Sequence, residues 1–482
     1  MPPREAEAID RGRIGDAIPP PVHALLGVLW GHGHAAYVVG GSLRDLLVGR
    51  PAYDWDVATS ALPGAVRGMF PGSHYENRFG TVLVPAERGT PVEVTTFRSD
   101  HTYADHRRPV SVTFTDSLEL DLRRRDFTVN ALAWGREGAA DAAPPRLVDH
   151  VAGLADLDAR LIRAVGDPVE RFDEDALRLV RAARLAGLLD FEIEPATLDA
   201  VRRTASSVRH VAPERIGQEL RKLVAGEQPS RGLRILGETG LLQLVLPELA
   251  AQRGVAQAKA PGADCWEHTL AAVDAAADLV RARGPARAAF EAELLVVATL
   301  FHDAGKPQAL EAGRFPDHQE IGAEIAERVL RRLAFPRAEI DRVARLVREH
   351  MFAYRPEWSD AAVRRFVQRV GADLWEDLLA LREADAIASG GRAGDPGLAE
   401  LRARIEAELE RGFPLGIGDL AIDGTDLRRE LDLPEGPVIG RLLARLLESC
   451  TADPSRNTRA QALVDARGWL PELLGTDGHA AG

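Results

Sequence analysis

Lysine is almost missing from this chain. Of its 60 basic residues only Lys222, Lys259 and Lys306 are lysine, and the rest are arginine. With abundant alanine and glycine, that bias reads as the mark of a GC-rich genome and not of a function. Cysteine is as scarce: Cys265 and Cys450 alone support neither a disulfide framework nor a cysteine zinc site. A reducing cytoplasmic compartment is the expectation. No charge-free apolar run of about 18 residues occurs, which excludes a helical membrane span. The opening MPPREAEAIDRGRIGDAIPPP lacks the apolar core of a secretion signal.

What is present is a long chain with ordinary globular composition. At ~100–200 residues per domain, 482 residues imply two to four domains. The net charge of -13 argues weakly against a polyanionic partner. Residues 160–234, however, are dense in arginine. They can present a basic face while the acidic remainder points elsewhere, or simply form solvated helix faces.

Periodicity divides the chain. Residues 22–34 have helical spacing. AYVVGG (36–41), WDVAT (55–59), TVLVPAE (81–87), VEVTTFR (92–98) and VSVTFT (110–115) alternate and favour β-branched residues, so strands are expected. Strands stop by about residue 150, and from 155 onward apolar residues recur every three or four positions. Gly/Pro-rich breaks lie near 254–263, 390–397 and 434–437. The fold class expected is α+β. A leader (1–20) precedes a mixed-sheet head (21–155), a helical neck (156–253), a third helical domain (254–395) and a helical tail (396–482).

The strongest local signal is GGSLRDLLVGRPAYDWDVATS. Gly40 and Gly41 stand where a strand gives way to a helix, so the backbone there can approach a phosphate. Arg44 follows on the first turn. Asp54 and Asp56 alternate on an expected strand and would share a face, with Trp55 on the other. Two adjacent carboxylates repel unless a cation lies between them, and a hard ion such as Mg²⁺ suits carboxylate and phosphate oxygens. Glu93 is the candidate third carboxylate of a site holding two ions about 3.5–4 Å apart. A lone Asp-x-Asp is common; glycines, Arg-Asp and a downstream acidic strand in one order are far more specific.

These motifs resemble the nucleotidyltransferase superfamily that includes CCA-adding enzymes and bacterial poly(A) polymerases, over roughly residues 20–250. The resemblance implies a polymerase-β-like head in which Gly40, Gly41, Arg44 and Asp45 cradle the nucleotide and Asp54 and Asp56 bind Mg²⁺. It also implies that LRRRDFTVNAL (122–132) contacts sugar and triphosphate through Arg125, Asp126 and Asn130.

RFDEDALRLVRAARLAGL (171–188) is expected to be one helix, with Asp175, Arg178, Arg181 and Arg184 three apart along a face. An Asp acceptor beside an Arg fork can satisfy the edge of a base; a surface ion pair has the same spacing. The segment is similar to the family's E-D-x-x-R element. That similarity implies that Asp175 and Arg178 select CTP and ATP while Arg181 and Arg184 steady the pocket. PERIGQELRKLV (213–224) matches the helical element that follows in the family.

Four of the 13 histidines, His268, His302, His318 and His350, fall in one helical stretch with Asp303 and Asp385. Histidine and carboxylate on packed helices suit one or two divalent transition metals. The spacing, and HDAGKP above all, resembles the HD phosphohydrolase domain. That implies hydrolysis of 2′,3′-cyclic or simple phosphoesters, or a helical scaffold.

The resemblance implies template-independent addition of C, C and A to the 3′ end of tRNA from CTP and ATP. Poly(A) addition, CC-only or A-only addition, and an HD phosphohydrolase with a nucleotide-binding head stay open. Residues 99–110 are expected to form a flexible loop bearing on the switch from C to A. The tail is expected either to touch tRNA or to cap the body.

Overall fold

The computed structural model describes residues 13–52, 54–75, 80–85, 91–103, 109–138, 143–256, 264–283, 289–311 and 317–476. The chain forms two compact units, Met1–Ala250 and Ala251–Gly482.

The first unit opens with a helix, Pro20–Gly31, whose Val22, Leu25, Leu26 and Leu29 are buried. Proline at its first position fits a place where the N–H has no helical partner. A seven-stranded mixed sheet follows in the order β3-β4-β5-β2-β1-β8-β9. These strands are β1 (Ala36–Val39), β2 (Asp56–Thr59), β3 (His74–Tyr75), β4 (Thr81–Val84), β5 (Val92–Thr96), β8 (Leu132–Arg136) and β9 (Arg146–Asp149). Central β1 is buried at every position, which is why it reads as the continuous apolar run AYVV. Tyr37 and Val39 pack with Ala58, Phe97, Leu122 and Ala133 in one core cluster.

Three expectations change. Strand β2 starts at Asp56, so Asp54 and Trp55 lie in the preceding loop and strand alternation does not govern them. Residues 99–110 are not simply a loop: β6 (Arg98–Tyr103) and β7 (Pro109–Phe114) form an antiparallel ribbon, and 104–108 lie outside the described residues. Nor do strands end at 150, because β10 (Leu161–Ile162) and β11 (Glu192–Ile193) make a short parallel pair.

The neck helices carry the next correction. RFDEDALRLVRAARLAGL is not one helix. Pro168–Glu174 ends at Asp175, whose backbone is extended (φ -147, ψ 101), and Leu177–Leu189 begins beyond it. The Asp175 carboxylate accepts from Leu177 N–H at 3.1 Å, so the acid that stops one helix caps the next.

The second unit is helical among its described residues. Helices Cys265–Ala282, Ala289–Phe301, His318–Arg332, Arg337–Glu349 and Trp375–Ala388 form its first part. A second cluster, built from Ile422, Leu427, Leu442, Leu446 and Ala466, gathers the tail helices. Buried Arg364 clamps them: it pairs with Glu408 and donates to the carbonyls of Thr451 (2.6 Å) and Ala452 (2.9 Å). No described helix is long and apolar enough to cross a membrane.

Candidate active sites and their relatives

Sheet register builds the first site. Antiparallel pairing sets Val39 of β1 against Asp56 of β2, and parallel pairing sets Asp56 against Glu93 of β5. The turn that follows Val39 therefore emerges beside Asp56. Gly40 adopts φ +81, which L side chains rarely adopt, and a Cβ there would sit 3.1 Å from Asp56 Oδ2 and 3.7 Å from Arg125 Nη1. Glycine keeps that approach open. Asp54 is exposed and Asp56 half-buried. Burial, and next to it the neighbouring Asp54 charge, push the Asp56 carboxyl up to about 6, against the pull of Arg125, Lys222 and Arg181. Three metal-ligating groups within 4.8 Å of one another are not found in the head among the described residues, so Asp54, Asp56 and Glu93 lie near one another without converging. Crowded, partly desolvated carboxylates of this kind suit a hard divalent cation.

The remaining head residues form a network. Arg44 is buried and turned inward, to Asp45 Oδ1 (2.7 Å) and Asn130 Oδ1 (2.6 Å), so its guanidinium braces the turn. Asn130 in turn donates to Asp126 Oδ1 at 3.1 Å, and Arg181 reaches Asp126 Oδ2 at 3.0 Å. Burial alone would raise the Asp126 carboxyl, but Arg181, Arg178 and these hydrogen bonds hold it below its ordinary value. Arg125 donates to Asp121 (3.2 Å) while its Nε is buried without a hydrogen-bond partner.

Asp175 and Arg178 do not pair with each other. Arg178 is buried, and it donates to the carbonyls of Arg171 (2.8 Å) and Arg124 (3.0 Å) and to Glu174 (2.7 Å). Asp175 is gripped by Arg215, Nη1 to Oδ1 at 3.1 Å and Nη2 to Oδ2 at 2.7 Å. Arg181 and Arg184 converge on buried Glu219 at 3.1 and 2.6 Å. Sequence reading counts Arg215 only among the arginines of 160–234 and does not single out Glu219; both lie on the Pro213–Val224 helix. Their one signal was a basic and an acidic residue four apart in a segment already matched to the family.

The second site is enclosed. His268, His302, Asp303, His318, His350 and Asp385 are all buried. His268 Nε2 lies 3.1 Å from Asp385 Oδ1 and 3.5 Å from Asp303 Oδ2; His302 Nε2 lies 3.3 Å from Asp303 Oδ2, and His318 Nε2 lies 3.6 Å from Asp303 Oδ1. Two ligand sets result, His268–His302–Asp303 and Asp303–His318–His350, with the aspartate shared. His302 and His350 each stand just past a helix end and donate Nδ1–H to the carbonyl three residues back, at 2.7 Å. That fixes the tautomer and turns Nε2 into the cluster. The buried Nε2 atoms of His268, His302 and His318 thus stand 3.1, 3.3 and 3.6 Å from a carboxylate oxygen, a mixed imidazole–carboxylate donor set that fits a divalent ion.

Burial pushes His350 down to about 3, with His302 adding to it. Burial also opposes charge on His302, but Asp303 outweighs it and raises that imidazole. Lys306 lies 2.5 Å from Asp303, and Arg382 pairs with Asp385. The glycine of HDAGKP is explained by packing: a Cβ on Gly305 would lie 2.1 Å from the His318 carbonyl oxygen. Only a bare backbone lets the His318 helix close over Asp303.

Comparison with known proteins follows this division. Residues 36–163 match the poly(A) polymerase head domain. Residues 190–253 match a probable RNA and SrmB-binding site of polymerase A, and 265–390 match the HD domain. A CCA-adding enzyme of Geobacillus thermodenitrificans is 46% identical over 235 residues, covering 48% of this chain and 56% of the relative. One from Levilactobacillus brevis is 49% identical over 212 residues, covering 44% and 51%. The chain thus spans about half the length of the curated relatives it matches. A solved Bacillus stearothermophilus CCA-adding enzyme in complex with CTP superposes with a TM-score of 0.64 at 29% identity, covering 96% of this chain and 99% of that one. A Thermotoga maritima CCA-adding enzyme complexed with tRNA shares the fold (TM-score 0.57, 18% identity, covering 96% and 99%). In one order along the chain, then, stand matches to a poly(A) polymerase head domain, a polymerase A RNA-binding segment and an HD domain, and the chain is similar to CCA-adding enzymes.

Proposed function

We propose that this protein is a cytoplasmic enzyme that adds C, C and A, without a nucleic-acid template, to the 3′ end of tRNA from CTP and ATP. The observation that carries this reading is the register that sets Val39 against Asp56 and Asp56 beside Glu93, which brings the Gly40 turn up to the Asp56 carboxylate. Asp54, Asp56 and Glu93 would hold Mg²⁺. When bound there, the ion neutralises triphosphate charge and acidifies the primer hydroxyl.

The chain's own groups supply the rest. The Gly40–Gly41 turn admits the triphosphate to the backbone, and Arg44 with Asp45 and Asn130 keeps that turn rigid. Arg125 offers its buried Nε–H to a sugar or phosphate oxygen. Asp126 holds Arg181 in place, and Asp175 with Arg178 reads the base. The primer's 3′-oxygen bonds to the α-phosphorus as the bond to the pyrophosphate leaving group breaks. Such transfer is mainly positioning plus charge neutralisation.

The test uses tRNA lacking its CCA, CTP plus ATP, and sequencing of the product ends. Full CCA ends support the proposal; poly(A), CC-only or A-only ends, or no extension, replace it.

A second activity has its own support, the buried cluster in which His268, His302, His318 and His350 surround Asp303. A divalent transition metal held there would serve hydrolysis of 2′,3′-cyclic or simple phosphoesters. Phosphodiesterase assays on metal-loaded wild type and on His302→Ala test it, and equal rates would leave the domain a scaffold.

A further inference from the structure

We propose that Lys306 divides the histidine–aspartate cluster into unequal halves: its ammonium competes with a divalent ion for Asp303 Oδ2, which weakens metal binding at His268–His302 far more than at His318–His350. This rests on the proposed metal binding at that cluster and names the group that sets its affinity.

Lysine itself is the first pointer. Only three of the 60 basic residues are lysine, and one of them is bonded to the aspartate that both ligand sets share. Arg382 holds Asp385 across the same three-residue spacing, so arginine serves that geometry elsewhere in the cluster. The two cations differ in shape. An arginine fork spans both oxygens of a carboxylate, whereas lysine is a point charge on a flexible stem that fits beside one.

The two oxygens of Asp303 keep different company. Oδ2 lies 2.5 Å from Lys306 Nζ, 3.3 Å from His302 Nε2 and 3.5 Å from His268 Nε2. Oδ1 lies 3.6 Å from His318 Nε2, in the set that His350 completes. The ammonium therefore stands on the oxygen that belongs with one ligand set, and the other set meets the opposite oxygen.

Burial makes that placement consequential. Asp303 is 2% and Lys306 7% exposed. With little water between them, a positive charge on Oδ2 both satisfies the carboxylate and repels a second cation at the same atom. The backbone is pinned: Lys306 N–H donates to the Asp303 carbonyl at 3.1 Å, and Gly305 is packed against the His318 carbonyl. The lysine stem is what can give way. An ion entering at His268–His302 must displace the ammonium or bear its repulsion. An ion at His318–His350 meets that charge only at longer range.

The experiment titrates Co²⁺ into the metal-stripped full chain at one pH by calorimetry, with thermal melts in the presence and absence of Co²⁺. Lys306→Met and Lys306→Gln are each made in wild type, in His318→Ala, which keeps the His268–His302 half, and in His268→Ala, which keeps the other. In His318→Ala, removing the ammonium is expected to lower the Kd for Co²⁺ at least about tenfold, because close-range repulsion in a dry site is lost. In His268→Ala the change should stay within about threefold, because the charge acts there across the carboxylate. Metal-free Lys306→Met should melt below wild type, since Asp303 is left a buried unpaired charge, and saturating Co²⁺ should close the gap. A merely structural lysine would lower the melt and weaken binding in both halves, and that result overturns the inference. So does an unchanged Kd in His318→Ala, or an equal gain in the two halves. If neither wild type nor any variant binds Co²⁺, the metal reading of the cluster falls and this inference with it. If Co²⁺ binds and the lysine variants leave its Kd unchanged, only the role of Lys306 fails. Should Lys306→Met not fold, Lys306→Gln decides alone.

Discussion

The head and the HD domain both gather carboxylates, but they do so in opposite ways. In the HD domain six buried histidine and aspartate side chains lie together, and the imidazoles of His302 and His350 are tied to backbone carbonyls. In the head Asp54 is exposed, Asp56 half-buried, and with Glu93 they stop short of convergence. An enclosed site pre-organises its donors at the expense of access. An open one leaves the last stage of assembly to the incoming substrate and its cation.

That difference can be broken from either side. The largest effect is expected in the head: Asp56→Ala or Asp54→Ala should reduce nucleotide addition by at least about a hundredfold with the fold retained, because the cation's charge stabilisation is worth several kcal/mol. Retained single-turnover incorporation in either variant would contradict the carboxylate assignment. In the HD domain, stripping metal with a chelator should destabilise the second unit by about 3 kcal/mol if the ion is present at ~100 times its Kd. Metal content by mass spectrometry and a melt should fall together in His302→Ala, while nucleotide addition stays close to wild type.

Smaller effects sharpen the contrast. Gly40→Ala, forcing φ +81 on a residue with a Cβ, should cost about 1–2 kcal/mol and raise KM for the nucleotide. The Asp56 carboxyl is raised to about 6 in the folded state from an ordinary 3.8. Its favourable contribution is thus complete below about pH 4 and is lost as pH rises through about 6. Without divalent ions, Asp56→Asn should be more stable than wild type at pH 8 and lose that advantage at pH 4. Melting curves at the two pH values check the sign, and an advantage that grew on acidification would exclude it.

Legibility followed the same divide. That His268, His302, Asp303, His318, His350 and Asp385 come together could be read because four of the 13 histidines fall in one helical stretch and HDAGKP carries the resemblance to the HD domain. Gly40 and the first strand were legible from an apolar run ending in a glycine pair, whereas the sheet order was not. The stop at Asp175 was not, because DEDALR contains neither glycine nor proline and its apolar spacing runs on unbroken. Asp54 was assigned to a strand for a similar reason: alternation continues one turn further than the hydrogen-bond ladder does. Glu219 and Arg215 look like the polar face of any amphipathic helix until the partners facing them are seen.

The backbone ties on His302 and His350 reach beyond local geometry. A ring whose far nitrogen is committed to its own helix end need not rotate when one ion leaves and another arrives. Exchange among divalent metals at that cluster should then proceed with little rearrangement of the surrounding helices. The ion found there in a cell would reflect which one the cell has in supply more than any preference built into the pocket.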